Sequence, residues 1–118
     1  MTRRRQYGKN IMLISKDIQG ISDGLQKIYD LRITRMQLFR TVRYDMGMCE
    51  AIINGYQTIL DNIKSKYPEG SPGYIKLKKE LDNFAIPDDS LRLIKKDWLI
   101  IERIPEELWK AIKTLITE

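Results

Sequence analysis

Two groups of arginines are the residues of this sequence best suited to chemistry with a charged ligand. The first group lies near the start of the chain and comprises Arg3, Arg4 and Arg5. The second group is spread over residues 32–43 and comprises Arg32, Arg35, Arg40 and Arg43. A guanidinium group is a planar fork of N–H donors that can form two hydrogen bonds to one phosphate. Because no base-reading element is identifiable, the two groups predict phosphate contacts that depend little on nucleic-acid sequence.

Each basic group also has a simpler interpretation. The arm at residues 1–8 is equally well explained as a solvated tail. The second group would be neutralised if its arginines paired within the chain with Asp30, Asp45 or the C-terminal acids. Three lysines are best explained as the solvated face of an amphipathic helix: Lys76, Lys78 and Lys79.

Residues for catalysis are largely missing. The sequence has no histidine, which excludes Ser–His and Cys–His pairs and the HExxH zinc site, and it has no glycine-rich phosphate loop. Cys49 has apolar neighbours at helical spacing, so we predict a buried thiol and not a nucleophile. The acidic pairs Asp88–Asp89 and Glu106–Glu107 precede predicted helices, where capping explains them. We predict a non-enzymatic protein without cofactor or metal; an all-α enzyme that binds a small anion through arginines is a remote alternative.

Composition fits one globular domain over residues 1–118. Charged residues make up 31% and hydrophobic residues 42% of the chain, and the formal net charge is +5. This charge permits an anionic partner without requiring one. The single cysteine cannot form an intramolecular disulfide, and no apolar run is long enough to cross a bilayer. We expect a protein of the cytoplasm, that of its own cell or of a host cell, with no membrane contact.

A heptad repeat of apolar side chains predicts the elements that position these residues. With Ile11 at position a and Ile14 at position d, every a and d position through residue 67 is apolar or aromatic except Arg32 and Arg35. This 3.5-residue period predicts helix over residues 9–66. In the second half of this range position g adds apolar residues, which suggest a further contact surface: Leu38, Ile52 and Ile59.

The two exceptions fall in the stretch YDLRITRMQLF at residues 29–39, which has two interpretations. In the first, one helix continues and buries two cations, which is costly without neighbouring anions. In the second, which we favour, the first helix stops near Asp30 and a capping box at Thr34–Gln37 starts the next. The two helices then form an antiparallel, coiled-coil-like hairpin with both arginines at its solvated corner.

Residues 72–118 are predicted to form two or three short helices packed against the hairpin. The prolines and glycines of YPEGSPG at 67–73 end the long helix, and Ser71 with Pro72 starts the third helix. Its apolar face comprises Tyr74, Leu77, Leu81 and Phe84. A fourth helix follows the caps at 88–90 and carries Leu91, Ile94, Trp98 and Ile101. A strand at 98–101 is the weaker interpretation, because nothing would pair with it. Pro105 starts the last helix.

The sequence therefore predicts an all-α fold and a function based on association. We expect a small basic helical-bundle protein that forms a homodimer and binds nucleic acid without sequence preference or within a nucleoprotein complex. Its dimer interface is predicted to include Leu38, Ile52 and Ile59. The alternative is an adaptor or inhibitor that binds a protein partner and no nucleic acid. Binding of random-sequence DNA or RNA at moderate salt distinguishes the two.

Overall fold

A computed structural model describes residues 13–87 and 90–118. Over these residues the protein is all-α, as predicted. Its helices are α1 (Ile18–Tyr29), α2 (Met36–Lys66), α3 (Pro72–Asp82), α4 (Lys96–Ile101) and α5 (Glu106–Trp109). The described residues also include the strands β1 (Ile94–Lys95) and β2 (Ile116–Thr117), and 3₁₀ segments at Ser15–Asp17 and Lys110–Leu115. The predicted basic arm, with Arg3, Arg4 and Arg5, and the acidic pair Asp88–Asp89 lie outside the described residues.

The first helix is shorter than the heptad repeat predicts. Residues 13–17 are not α-helical, and Ile14 instead has an extended backbone and forms an antiparallel bridge with Ala85. The amide of Ile86 donates to the Leu13 carbonyl at 2.8 Å, and the amide of Ser15 donates to the Phe84 carbonyl at 2.9 Å. The predicted helix over this segment is wrong because its backbone hydrogen bonds are made to the chain that follows α3. β-Branched isoleucine suits this extended conformation as well as a helical stripe.

The predicted break after the first helix is confirmed. The chain leaves α1 at Tyr29 and enters α2 at Met36, so the interpretation as one continuous helix is wrong. The rings of Tyr29 and Phe39 lie 5.5 Å apart between centroids, on either side of the break. Helices α1 and α2 pack together, and their antiparallel arrangement stays a prediction.

The capping box predicted at this break is wrong, because the Thr34 hydroxyl donates to a distant carboxylate and does not accept from an amide of α2. The residue before α2 is Arg35, which makes no side-chain cap hydrogen bond. Instead, Glu102 Oε1 accepts hydrogen bonds from the amide and the hydroxyl of Thr34, both at 2.9 Å, and from the amide of Arg35. Glu102 is 68 residues from Thr34 in the sequence. The carboxylate also lies near the positive end of the α2 dipole, which favours a negative charge.

Buried side chains from both ends of the chain form one core. It runs from Leu13 to Leu115 and includes the α1 residues of the heptad repeat: Ile18, Ile21, Leu25 and Ile28. A Cβ atom at Gly24 would lie 2.6 Å from Cβ of Ala111, so the missing side chain lets the last 3₁₀ segment pack closely on α1. The C-terminal third is therefore an integral part of the core.

The C-terminal elements match the predictions only in part. Helix α3 begins as predicted, with Pro72 at its first position and the Ser71 hydroxyl accepting from the amide of Tyr74 at 3.3 Å. Phe84 is 65% exposed, so its assignment to the buried face is wrong. The predicted fourth helix begins only at Lys96. Ahead of it, β1 pairs in parallel with β2, an interaction that the sequence does not reveal.

The end of α4 fixes the backbone around Glu102. The amide of Arg103 donates to the Ile100 carbonyl and the amide of Ile104 donates to the Leu99 carbonyl, both at 3.0 Å. This is a Schellman motif, with Arg103 in the left-handed conformation at φ 60°. Helix α5 starts directly after Pro105, as predicted. None of the helices in the described ranges is long and apolar enough to span a bilayer.

The contact between Glu102 and residues 34–35 predicts a stability that depends on pH. Burial acting alone would raise the pKa of Glu102, but hydrogen bonds from Thr34 and Arg35 and the positive charge of Arg35 lower it overall. A lowered pKa contributes stability at neutral pH that is lost as the pH falls through the pKa of the folded state. We expect Glu102→Ala to reduce the free energy of unfolding at neutral pH by about 1–3 kcal/mol, as for hydrogen bonds to a charged group. Urea denaturation across a pH series measures the difference.

Glu50→Ala is the matched control, because Glu50 is an exposed acid in α2 and its removal changes the net charge equally. The control should unfold like the wild type. If the deficit of Glu102→Ala stays constant as the pH falls through the acid range, the carboxylate does not stabilise the residues directly before α2.

Candidate nucleic-acid interface

One face of α2 carries an open groove. Spacings of three and four residues place Met36, Arg40, Arg43 and Gly47 on this face. Phe39, Tyr44 and Met48 line the groove beside them, and the residue that closes its far side is Arg92, from the segment before β1. The groove has a volume of about 660 Å³. Helix α2 thus supplies most of the surface, and the C-terminal third supplies one arginine.

A buried carboxylate holds Arg92 in this position. Asp45 is 0% exposed, and its Oδ1 atom accepts a hydrogen bond from the amide of Arg92 at 2.7 Å. The guanidinium carbon of Arg92 then lies 4.0 Å from the centre of the Tyr44 ring. This is a cation–π contact, with the flat guanidinium over the ring face. The groove therefore contains two stacked planar groups, the Tyr44 ring and the Arg92 guanidinium.

The groove is strongly positive. Three of its lining residues are arginines and none is acidic, considering the residues that the structure describes. Arg40, Arg43 and Arg92 are exposed, and none forms an ion pair in the described part of the chain. Unpaired guanidinium groups gathered in one concave surface raise the local potential for an anion. The groove thus combines three cationic side chains with an aromatic ring.

The structure brings together only part of the predicted arginine group. Arg40 and Arg43 line the groove, whereas Arg32 is exposed and Arg35 is partly buried at the corner between α1 and α2. Pairing with acids of the same chain was the alternative for this group, and among the C-terminal acids Glu102 accepts from the Arg35 amide while the charge of Arg35 helps to lower its pKa. Asp30 Oδ1 accepts from the Gln26 side chain at 2.8 Å, and Asp45 Oδ1 binds the Arg92 amide. Arg32, Arg40 and Arg43 are thus the exposed members of the predicted group.

The three predicted interface residues have different surroundings. Leu38 is fully buried among residues of its own chain, so it offers no surface to a second molecule. Ile52 is partly buried against the same core. Ile59 is 50% exposed. Within this apolar stripe, Leu38 and Ile52 therefore pack inside the chain, and Ile59 lies at the surface.

Sequence analysis missed Arg92 and the role of Asp45. Arg92 lies in a segment that was predicted to be helical, and nothing near it in the sequence indicates a contact with α2. Asp45 did carry a signal, because it occupies position g between Leu38 and Ile52, where the other residues are apolar. A charged residue inside an apolar stripe indicates a buried polar contact.

A second polar cluster joins α2 to α3. Tyr56 donates a hydrogen bond from its hydroxyl to Asp82 Oδ1, and Lys78 donates from Nζ to Asp82 Oδ2 at 2.9 Å. Burial and the bond to Asp82 raise the pKa of Tyr56, while the hydrogen bond from Tyr56 helps to lower the pKa of Asp82. The phenol therefore stays protonated and acts as a donor. Lys78 is less exposed than predicted, because it forms an ion pair with Asp82.

Cys49 is a structural thiol, as predicted. The residue is 0% exposed, and burial together with the negative charge of Asp45 raises its pKa to about 12. A thiol in this environment is a poor nucleophile, because the thiolate is the reactive form. In the described ranges, no group of three or more His, Cys, Asp or Glu side chains is arranged to hold a metal ion.

No protein-family model, curated protein or solved structure matches this chain.

The raised pKa of Cys49 predicts slow modification of the native protein. Relative to a thiol at its ordinary value of 9.0, a pKa of about 12 lowers the thiolate fraction at neutral pH by about 1000-fold. We expect a maleimide reagent to label native Cys49 at least about 1000-fold more slowly than the same protein unfolded in urea. The unfolded sample is the control for reagent quality. Labelling of the native protein at a rate within about tenfold of the unfolded one would show that Cys49 is accessible.

Proposed function

We propose that this protein is a non-enzymatic helical module that binds nucleic acid without sequence preference through the groove on α2. The observation that carries the proposal is the convergence of Arg40, Arg43 and Arg92 with Tyr44 in one groove, where no lining residue described is acidic. Phosphate groups are the anions that best match several guanidinium forks along a surface. Aromatic side chains between the cations match the bases that the phosphates connect.

The proposed binding depends on charge and shape. Arg40 and Arg43 are on successive turns of α2, and Arg92 faces them from the segment before β1. No base-reading motif is identifiable in the sequence. Affinity should therefore vary little with sequence. From the sequence alone, we propose that the arm with Arg3, Arg4 and Arg5 adds further phosphate contacts.

An adaptor that binds an acidic protein is the alternative that the same groove supports. Its three arginines would pair with carboxylates as readily as with phosphates. The exposed aromatic ring of Tyr44 favours nucleic acid, because it offers a stacking surface that acidic side chains do not use. A protein that shifts no DNA and no RNA even at low salt would support the adaptor instead.

The salt dependence of binding tests the groove. We expect replacement of Arg40, Arg43 and Arg92 by alanine to weaken binding to random-sequence nucleic acid. It should also flatten the plot of log K against log salt concentration by roughly 2–3 units. Each phosphate contact contributes about 0.9 with duplex DNA and about 0.7 with single strands. Fluorescence anisotropy across a salt series measures both effects.

The matched control replaces Lys27, Lys76 and Lys79 by alanine. These lysines are exposed and lie outside the groove, and their removal changes the net charge equally. Lys78 is left in place because it is bonded to Asp82. Equal loss of affinity in the two triple variants would mean that net charge, and not the groove, drives binding.

We infer that self-association involves the exposed end of the apolar stripe on α2. Ile59 is 50% exposed, so it is the member of the predicted interface that remains at the surface of one chain. We expect the wild type at micromolar concentration to have twice the 13.9 kDa mass of one chain, and Ile59→Asp to have the single-chain mass. Light scattering coupled to size-exclusion chromatography gives this measurement.

Ile100→Asp is the control for this substitution, because Ile100 is 53% exposed on α4 and is not part of the stripe. It should keep the wild-type mass. A wild-type mass near 13.9 kDa would contradict the homodimer.

A further inference from the structure

Gly47, like Gly20 and Gly55, is an exposed glycine inside a helix, but of these three only Gly47 lines the groove. It occurs in the middle of α2, where glycine is less favourable than alanine. No atom of the described part of the chain lies within 4 Å of where its Cβ would be, so packing inside the protein does not require a glycine. Gly24 differs, because there a Cβ would collide with Ala111. Gly47 lines the groove, and its missing side chain leaves bare helix backbone at the groove surface.

This bare surface lies one helical turn from the planar stack of the groove. Tyr44 precedes Gly47 by three residues, so the two positions are neighbours on the helix. The Tyr44 ring is 38% exposed, with the Arg92 guanidinium over it at 4.0 Å. A flat group inserted here would contact a ring or a guanidinium plane and would meet no side chain at position 47. A ligand that fits here must contain a flat group, and it must also carry negative charge to match the arginines.

We propose that the groove binds an unpaired base of a single-stranded nucleic acid, against the Tyr44–Arg92 stack and over Gly47. This inference rests on the proposed function and specifies its ligand. Bases in a duplex have their faces covered by their neighbours, so only an unpaired base can stack on a protein side chain. A duplex would meet the arginines through its phosphates and leave Tyr44 and the gap at Gly47 unused.

Strand preference is the first test. Fluorescence anisotropy compares single-stranded oligothymidylate of about 12 nucleotides, within the range of single-strand site sizes, with a duplex of the same length. We expect the single strand to bind at least about fivefold more tightly, as for one stacked base. An oligouridylate of equal length distinguishes RNA from DNA, and tighter binding of either single strand supports the inference. Equal or tighter binding of the duplex would overturn it.

Substitution at Gly47 is the second test, with Gly55 as its matched control. Both glycines are exposed within α2, and neither has an atom within 4 Å of its Cβ position among the described residues. Because both substitutions remove a helical glycine, Gly47→Leu and Gly55→Leu should unfold at temperatures no lower than the wild type. We expect Gly47→Leu to lose about tenfold or more in affinity for oligothymidylate, and Gly55→Leu to bind like the wild type.

The Tyr44 ring supplies an independent third test. Tyr44→Phe keeps the aromatic face and should bind like the wild type, whereas Tyr44→Leu should lose about fivefold or more in affinity without a change in the salt slope. The failures are distinguishable. No binding to any nucleic acid overturns the proposed function, whereas binding that is unaffected by Gly47→Leu and Tyr44→Leu overturns only the base-binding inference.

Discussion

The buried carboxylate of Asp45 is the constraint on which the groove depends. A carboxylate removed from water must be satisfied by hydrogen-bond donors, because an unpaired buried charge is too costly. Asp45 Oδ1 accepts from the backbone amide of Arg92, 47 residues further along the chain. The segment before β1 therefore has to lie on α2 at this point. This contact places the backbone of Arg92 beside α2, and the Arg92 side chain then lies over Tyr44 and adds the third positive charge of the groove.

Glu102 makes a similar contact, because its carboxylate also accepts hydrogen bonds from backbone amides that are distant in the sequence. It binds Thr34 and Arg35 directly before α2, while Asp45 binds within the helix. The groove begins at Met36 and extends to Met48, so it lies over the part of α2 that these two contacts hold. Both contacts connect α2 to residues beyond position 90, and both use backbone amides, which cannot change rotamer as side chains can. For the proposed binding surface, a backbone held in this way would lose little conformational freedom on binding.

The sequence predicts the periodic elements and misses the contacts between distant residues. The heptad repeat is sufficient to identify α1 and α2, and the arginines at its a and d positions indicate the break between them. Ser71 and Pro72 predict the start of α3 because capping is local chemistry. The roles of Glu102, Asp45 and Arg92 depend on partners 47–68 residues away. The pairing of β1 with β2 also joins residues that are distant in the sequence. For the candidate site this means that Arg40 and Arg43 are predictable as outward-facing cations, but their convergence with Arg92 is not.

The buried face and the groove face of α2 have the same residue spacing, shifted by two positions. Its buried positions Leu38, Val42, Asp45 and Cys49 follow the spacing four, three, four, and the groove positions Met36, Arg40, Arg43 and Gly47 repeat that spacing two residues earlier. Two residues correspond to a rotation of about 200°, so each groove residue faces almost directly away from a buried one. Packing of the inner face therefore sets the direction in which the arginines point. The heptad repeat that builds the core also aligns the cations and the glycine into one binding face.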